Sequence, residues 1–145
     1  MRVTRKTSTP PSRVRDVMTK GMVATHPNES LADIAVRMRD QRVGAVAITE
    51  GDELIGIVTE RDLSRATADG LSPRVTPASA YMTAEPFTID VDKEVGEAAS
   101  TMATRGIRHL PVTEQGRVIG FVSARDLLFS NESCRDLAEL AYEPW

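Results

Sequence analysis

Apolar residues recur along this chain with the spacing of one buried helix face, and they do so twice. The positions that follow the i, i+3, i+4, i+7 pattern are Leu31, Ile34, Ala35 and Met38, and then Val95, Ala98, Ala99 and Met102. Each set predicts an amphipathic helix that packs one side against a core. Asn28 and Asp92 precede the two sets, and as typical N-cap residues they are expected to begin the helices.

Short apolar segments flank each helix and predict strands. One strand is expected before each helix, at residues 22–25 and 87–89, and two strands after it, at 43–48 and 54–58 and again at 107–112 and 118–122. Turn residues around Gly51 and Gly116 join each later pair as a hairpin. A short second helix is expected after Thr59 and after Ser123. Each copy is therefore predicted to be β-α-β-β-α.

The two copies align without a gap, residues 18–63 with residues 82–127, and twelve of the 46 aligned positions are identical. We call these segments the first and the second repeat, and their register indicates an internal duplication. Neither repeat is long enough for a comfortable core. The fold class expected is therefore α/β (α+β), with two repeats that pack sheet against sheet and share the clefts between them.

The predicted domain bounds follow from this duplication and from a stretch rich in proline and glycine between the repeats. They are a tail at residues 1–12, a first domain at 13–69, a linker at 70–78, a second domain at 79–130 and a C-terminal tail at 131–145. The last tail places Leu137, Leu140 and Ala141 on one helical side. We expect it to be a helix that covers an edge of the module or contacts a second copy.

Composition narrows the classes of function. The chain has 145 residues, 41% of them hydrophobic, and a net charge of −3, which argues against a nucleic-acid binder. Cys134 is the only cysteine, so an internal disulfide is excluded and a reducing compartment is favoured. No apolar run approaches the roughly 20 residues of a membrane helix. These features predict a cytoplasmic protein with neither nucleic acid nor membrane as a partner.

One eight-residue motif occurs in both repeats. It reads GIVTERDL at Gly56–Leu63, the first motif, and GFVSARDL at Gly120–Leu127, the second motif. Thr59 with Asp62, and Ser123 with Asp126, have the spacing of a helix capping box, and most such matches are only caps. The same spacing also suits a nucleotide, because a helix N-terminus and a hydroxyl can meet a phosphate while a carboxylate accepts from ribose hydroxyls. Both interpretations stay open from the residues alone.

Enzymatic and metal-binding functions are not indicated. No Ser/His/Asp or Cys/His set has a distinctive context, and neither a Walker loop nor a dinucleotide fingerprint is present. His26 and His109 are the only histidines, too few for a metal centre. We expect no catalytic residues, no metal and no required cofactor.

The chain resembles a tandem pair of CBS (cystathionine β-synthase) domains, a Bateman module, over about residues 13–130. The resemblance rests on Val17-Met18-Thr19, on GIRHLPV at Gly106–Val112 and on the two motifs. The first repeat departs from the pattern, because Gly44–Ile48 stands where the second has Arg108–Val112 and lacks the proline and the basic pair. The resemblance implies a regulatory module that binds adenosine compounds and forms two-fold dimers.

The ligands so implied are AMP, ADP or ATP, with S-adenosylmethionine or NAD as further candidates, and an effector protein would read the bound state. The resemblance assigns ribose to Asp62 and Asp126, phosphate to Thr59 and Ser123, and the base to Ile57 and Phe121. It also makes the clefts unequal, since the cleft built on Asp62 would see Phe87, Thr88 and the cations Arg42, Arg108 and His109. We therefore expect multiply charged phosphates there. The alternative is a structural or protein-interaction module with degenerate clefts.

Overall fold

A computed structural model describes residues 12–128 of the chain. Its helices are α1 (Val14–Val17), α2 (Leu31–Gln41), α3 (Glu60–Ala68), α4 (Val95–Arg105) and α5 (Ala124–Leu128), with a 3-10 turn at Ala78–Ala80. Its strands are β1 (Thr19–Lys20), β2 (Ala24–Thr25), β3 (Ala45–Glu50), β4 (Glu53–Thr59), β5 (Thr83–Ala84), β6 (Ile89–Asp90), β7 (His109–Glu114) and β8 (Arg117–Ser123). The predicted β-α-β-β-α order is confirmed in both repeats, although the first strand of each is shorter than expected.

The strands form two four-stranded sheets that mirror each other. One sheet has the order β2-β3-β4-β5 and the other has the order β1-β8-β7-β6. Each is built on an antiparallel hairpin with a parallel strand on one side, and both hairpins shift register at the same point, after Ile48 and after Val112. The duplication seen in the sequence thus extends to the irregularities of the sheets.

The segment around the start of each repeat packs on the other repeat. Strand β1 pairs with β8 of the second repeat, and strand β5 pairs with β4 of the first. Val14 is fully buried in the core of the second repeat, and Ala78, its partner in the alignment, is fully buried in the core of the first. Backbone hydrogen bonds fix both segments, among them Val14 N–H to the Lys93 carbonyl at 2.8 Å and Ala78 N–H to the Glu29 carbonyl at 2.8 Å. The repeats therefore exchange these segments.

Helices α2 and α4 bury the predicted faces. Leu31, Ile34 and Met38 lie in one core, and Val95, Ala98 and Met102 lie in the other. The prediction that Asn28 and Asp92 cap these helices was wrong, because the N-caps are Ser30 and Glu94. Turns closed by Glu29 N–H to the His26 carbonyl and by Lys93 N–H to the Asp90 carbonyl hold the chain outside the helix until those residues.

Each sheet is covered on both faces. Val46, Ile48 and Val58 point to the core between the first sheet and its helices. Ala45, Ala47 and Ile57 alternate with them and so lie on the opposite face, yet they are at most 6% exposed. Pro111 is likewise buried opposite Leu110 and Val112 in the second sheet. The two repeats therefore pack through their sheets, as expected.

The predicted bounds for the two tails lie largely or wholly outside the described residues. Residues 70–78, predicted to be a linker, are described, and they run along the first repeat with Ala32 N–H donating to the Pro73 carbonyl and Leu31 N–H to the Thr76 carbonyl. Within residues 12–128, none of the helices has the length and apolar character needed to cross a bilayer.

Candidate functional site

The first motif forms the junction between β4 and α3. Thr59 is the N-cap of α3, and its N–H donates to Oδ2 of Asp62 at 2.8 Å. The Thr59 hydroxyl donates to the same oxygen at 3.3 Å. The capping box predicted from the sequence is therefore present, and it turns the Asp62 carboxylate back towards the end of β4.

Arg65 engages the other oxygen of Asp62. Its Nη1 lies 3.2 Å from Oδ1, and the Asp62 side chain is only 6% exposed, whereas that of Arg65 is 61% exposed. The guanidinium also lies 5.8 Å from the centroid of the Tyr81 ring, and the Tyr81 hydroxyl donates to Asp69 at 2.6 Å. A chain of contacts thus runs from the motif to the segment that joins the repeats.

The second motif repeats the capping geometry without this arginine. Ser123 N–H donates to Oδ2 of Asp126 at 2.8 Å, and Asp126 N–H donates to the Ser123 hydroxyl at 3.2 Å. Asp126 is partly exposed, in contrast to the buried Asp62. Among the contacts of residues 12–128, Oδ1 of Asp126 has neither a hydrogen bond nor an ion pair. The two carboxylates thus differ both in exposure and in their partners among the described residues.

In α3 and α5, the helices that begin in the two motifs, the first backbone N–H is already hydrogen-bonded to a backbone carbonyl. Glu60 N–H donates to the Gly44 carbonyl at 3.2 Å, and Ala124 N–H donates to the Arg108 carbonyl at 2.8 Å. These bonds tie each helix to the start of the first hairpin strand of its own repeat. A phosphate at either helix would therefore have to be met by later amides or by side chains.

His109 joins the two motifs across the repeat boundary. In the β7–β8 hairpin its Cα is paired with that of Ser123, but its ring reaches the first repeat. If Gly44 carried a side chain, the Cβ atom would lie 3.2 Å from Nε2 of His109. Burial lowers the pKa of His109 below its ordinary value, while the Glu60 and Asp126 carboxylates raise it and Arg108 lowers it further. A neutral imidazole is favoured at this position unless an anion joins it.

The other residues expected at the site lie around this junction. Ile57 is buried on the sheet face that meets the other repeat, and Phe121 is half-buried beside Pro111. Arg108 is exposed next to His109, and Arg42 is exposed at the left-handed C-cap of α2, with φ 54°. The roles assigned to these residues, and to Thr59, Asp62, Ser123 and Asp126, stay predictions.

Two surface grooves among the described residues are not lined by any of the four motif residues. One, of about 420 Å³, runs between the hairpin tips and includes Asp52, Glu53, Glu85 and Thr113. The other, of about 360 Å³, includes Phe87 and Arg105, whose guanidinium lies 4.3 Å from the ring centroid. Thr88, which is expected in the cleft built on Asp62, lines both grooves. The grooves therefore meet that expected cleft only at its edge.

Sequence reasoning missed Arg65 and the consequence of Gly44. The i, i+3 spacing of Asp62 and Arg65 was the available signal for an ion pair on α3. Gly44 could be aligned with Arg108, but only the packed repeats show that His109 fills the space beside it. Among residues 12–128, no group of three or more His, Cys, Asp or Glu side chains is placed to hold a metal ion.

Comparisons with known proteins point to one family. The CBS domain model matches residues 14–69 and 78–132. An uncharacterized protein of Methanopyrus kandleri is 37% identical over 79% of this chain and 60% of its own length, so the chain spans less than two thirds of that relative. Two solved structures share the fold.

The first structure is a CBS domain protein from Pyrobaculum aerophilum complexed with AMP. It is 27% identical, covers 88% of this chain and 99% of its own, and has a TM-score of 0.78. The second is the CBS domain pair of protein MJ0100 in complex with 5-methylthioadenosine and S-adenosyl-L-methionine. It is 26% identical, covers 82% of this chain and 94% of its own, and has a TM-score of 0.76.

Proposed function

The chain belongs to the CBS domain family, and on that premise we propose that it is a regulatory sensor of adenosine-type nucleotides. CBS domain pairs are in general regulatory modules rather than enzymes, and solved relatives of this pair bind AMP, S-adenosylmethionine and methylthioadenosine. The ligand would lie in a cleft between the repeats. Binding would alter their packing, and an effector protein would read the change.

The observation that carries the proposal is the junction of the two motifs. Each places a hydroxyl and a carboxylate at the start of a helix, and His109 of the second repeat reaches Gly44 and Glu60 of the first. A ribose held by a motif carboxylate would have its phosphate near this histidine and Arg108. A phosphate there would favour the imidazolium, so the site can respond to a charged ligand.

We place the protein in the cytoplasm, as a homodimer without catalytic activity and without a required cofactor. The ligand is AMP, ADP or ATP, and S-adenosylmethionine or NAD remain candidates. The family relationship supports the ligand class. The sequence-based arguments on charge and cysteine content support the location.

A structural or protein-interaction module is the second candidate, and one observation favours it. Both motifs form capping boxes, as a purely structural role requires, and Asp62 is buried. In that case the carboxylates would stabilise α3 and α5 and bind nothing.

Isothermal titration calorimetry with AMP, ATP, S-adenosylmethionine and NAD separates the two candidates. A sensor is expected to bind at least one of them at micromolar Kd, about −8 kcal/mol. Replacing the motif carboxylate by Asn keeps an acceptor for the cap but removes the charge, so Asp62→Asn or Asp126→Asn should weaken binding by about 10–100-fold. Asp33→Asn, an exposed acid in the first turn of α2, is the matched control. Absence of binding, with lowered melting temperatures in both motif variants, would support the structural module.

A further inference from the structure

We propose that Arg65 sets the order in which the two clefts bind AMP. AMP binds first in the cleft built on Asp126, and it enters the cleft built on Asp62 only by displacing Arg65. We call these the second and the first cleft. The inference rests on the proposed nucleotide function and names which of its two sites works unaided. It goes beyond the family relationship, because the arginine breaks the symmetry of the duplication in this chain.

The oxygens of Asp62 are already engaged. Oδ2 accepts from the N–H and the hydroxyl of Thr59, and Oδ1 faces Nη1 of Arg65 at 3.2 Å. A carboxylate holds two ribose hydroxyls only if acceptor positions on its oxygens point into the cleft. With the side chain 6% exposed, the ligand must move the arginine before it can reach Oδ1.

Contacts beyond Asp62 hold Arg65 in place. Its guanidinium lies over the Tyr81 ring, and the Tyr81 hydroxyl is bound to Asp69 at 2.6 Å. Tyr81 follows the 3-10 turn at Ala78–Ala80. This segment leads into the second repeat but packs against the core of the first. Displacing Arg65 would therefore cost a cation–π contact as well as an ion pair.

The second repeat has no equivalent of this arrangement. The residue aligned with Arg65 is Phe129, which cannot form an ion pair, and the residue aligned with Tyr81 is Val17. Asp126 is partly exposed and, within residues 12–128, only its Oδ2 accepts a hydrogen bond. Within residues 12–128, a ligand that binds Oδ1 of Asp126 therefore has no arginine to displace.

This order differs from the expectation drawn from the cations alone. The expected phosphate contacts are the cations Arg42, Arg108 and His109. On that basis alone, multiply charged ligands are expected to prefer the first cleft. The His109 ring lies against Gly44 of the first repeat, but the Asp126 carboxylate of the second repeat also interacts with it electrostatically. His109 therefore cannot be assigned to the first cleft alone. For a singly phosphorylated ligand such as AMP, access to the ribose acceptor decides the order.

The test is calorimetric titration of the full chain with AMP. Wild type should show a tighter site that Asp126→Asn removes and that Asp62→Asn leaves within about twofold. In the Asp126→Asn background, the remaining weak binding reports the first cleft, and Arg65→Gln should tighten it by about fivefold, the upper range for an exposed ion pair. Arg39→Gln, which removes another exposed arginine paired with an acid, is the matched control and should change nothing.

Each other result counts against the proposal. If Asp62→Asn removes the tighter site, the order of the clefts is wrong. If Arg65→Gln weakens the first cleft, or leaves it as weak or empty as before, Arg65 is a ligand contact or a bystander rather than a competitor. If no variant binds AMP or any other adenosine compound while all melt cooperatively, the proposed function itself fails. Melting temperatures within a few degrees of wild type confirm that Arg65→Gln is folded.

Discussion

Gly44 of the first repeat lies directly against the imidazole of His109 of the second. A Cβ at residue 44 would lie 3.2 Å from Nε2 and 3.6 Å from the Glu60 side-chain carbon Cδ. Contacts of 3.2 Å are tighter than most Cβ contacts, so the histidine ring fills the space that a side chain here would need. The repeats are therefore fitted to each other at the end of the sheets where both motif helices begin.

Gly44→Ala should lower the free energy of unfolding by about 1–2 kcal/mol, because the added methyl group must push the His109 ring or the backbone aside. Urea denaturation measures the change. Gly96→Ala is the matched control, since a Cβ there meets nothing within 4 Å and alanine suits a helix, so stability should rise by up to about 1 kcal/mol. Equal effects at the two glycines would contradict the fit between the repeats.

Gly120→Ala should cost more than Gly56→Ala, although the two glycines are aligned in the duplication. At Gly120 a Cβ would overlap the Thr19 carbonyl oxygen, a backbone atom that cannot move without opening the β1–β8 pair. At Gly56 it would meet mainly the Met82 sulfur at 2.6 Å, on a flexible side chain. We expect a loss of about 3 kcal/mol or more at Gly120 and about 1–2 kcal/mol at Gly56 in thermal or urea unfolding. The reverse order would show that β1 is not held as described.

Stability should fall as the pH drops below about 6.5, and His109→Gln should remove most of this dependence. Burial lowers the pKa of His109 in the folded state, so the unfolded chain takes up the proton first and unfolding is favoured as the pH falls through the ordinary histidine value. Urea midpoints at pH 7.5 and 5.5 measure the effect.

A steeper loss of stability at low pH in His109→Gln than in wild type would have the wrong sign. It would mean that the Glu60 and Asp126 carboxylates outweigh burial and that the folded state favours the imidazolium. Arg108, which opposes protonation, would then have too little effect to restore the balance.

Val14→Ala should destabilise the protein by about 2 kcal/mol, the cost of two buried methyl groups and of the small cavity they leave. Val14 is fully buried in the core of the second repeat, although it precedes the first repeat in sequence. Ala78→Val, the reciprocal change in the first repeat, should also destabilise, by about 1–3 kcal/mol, because that core is already closed. Differential scanning calorimetry measures both. A neutral Val14→Ala would show that α1 does not belong to that core.

The fold was predictable as far as local patterns reach. The periodicity of Leu31, Ile34 and Met38 is a property of the segment itself, and so is the hairpin turn at Gly51. The N-caps at Ser30 and Glu94 were not predictable in this way, because the turns before them are set by backbone bonds. The exchange of β1 and β5 was also missed, since two-residue strands have no periodicity to read.

The residue types of the candidate site were predictable from the sequence, but the different surroundings of Asp62 and Asp126 were not. Thr59 with Asp62 and Ser123 with Asp126 could be found from spacing, and the structure brings both capping boxes to the same boundary. The ion pair that Asp62 forms, and that Asp126 lacks among the described residues, involves Arg65, which contacts Tyr81 only after the linker has folded onto the first repeat.

The exchanged segments bear on how the protein is made. As the chain leaves the ribosome, α1 and β1 emerge before the rest of the module, but the core and the strand that receive them lie in about the last third of the described chain, between Ile89 and Leu127. The first repeat must in turn wait for Ala78 and β5 before its core and sheet close. The first repeat can therefore close only once β5 has emerged, and α1 and β1 stay unpaired until the second repeat has followed, so this N-terminal segment is expected to acquire protease resistance last.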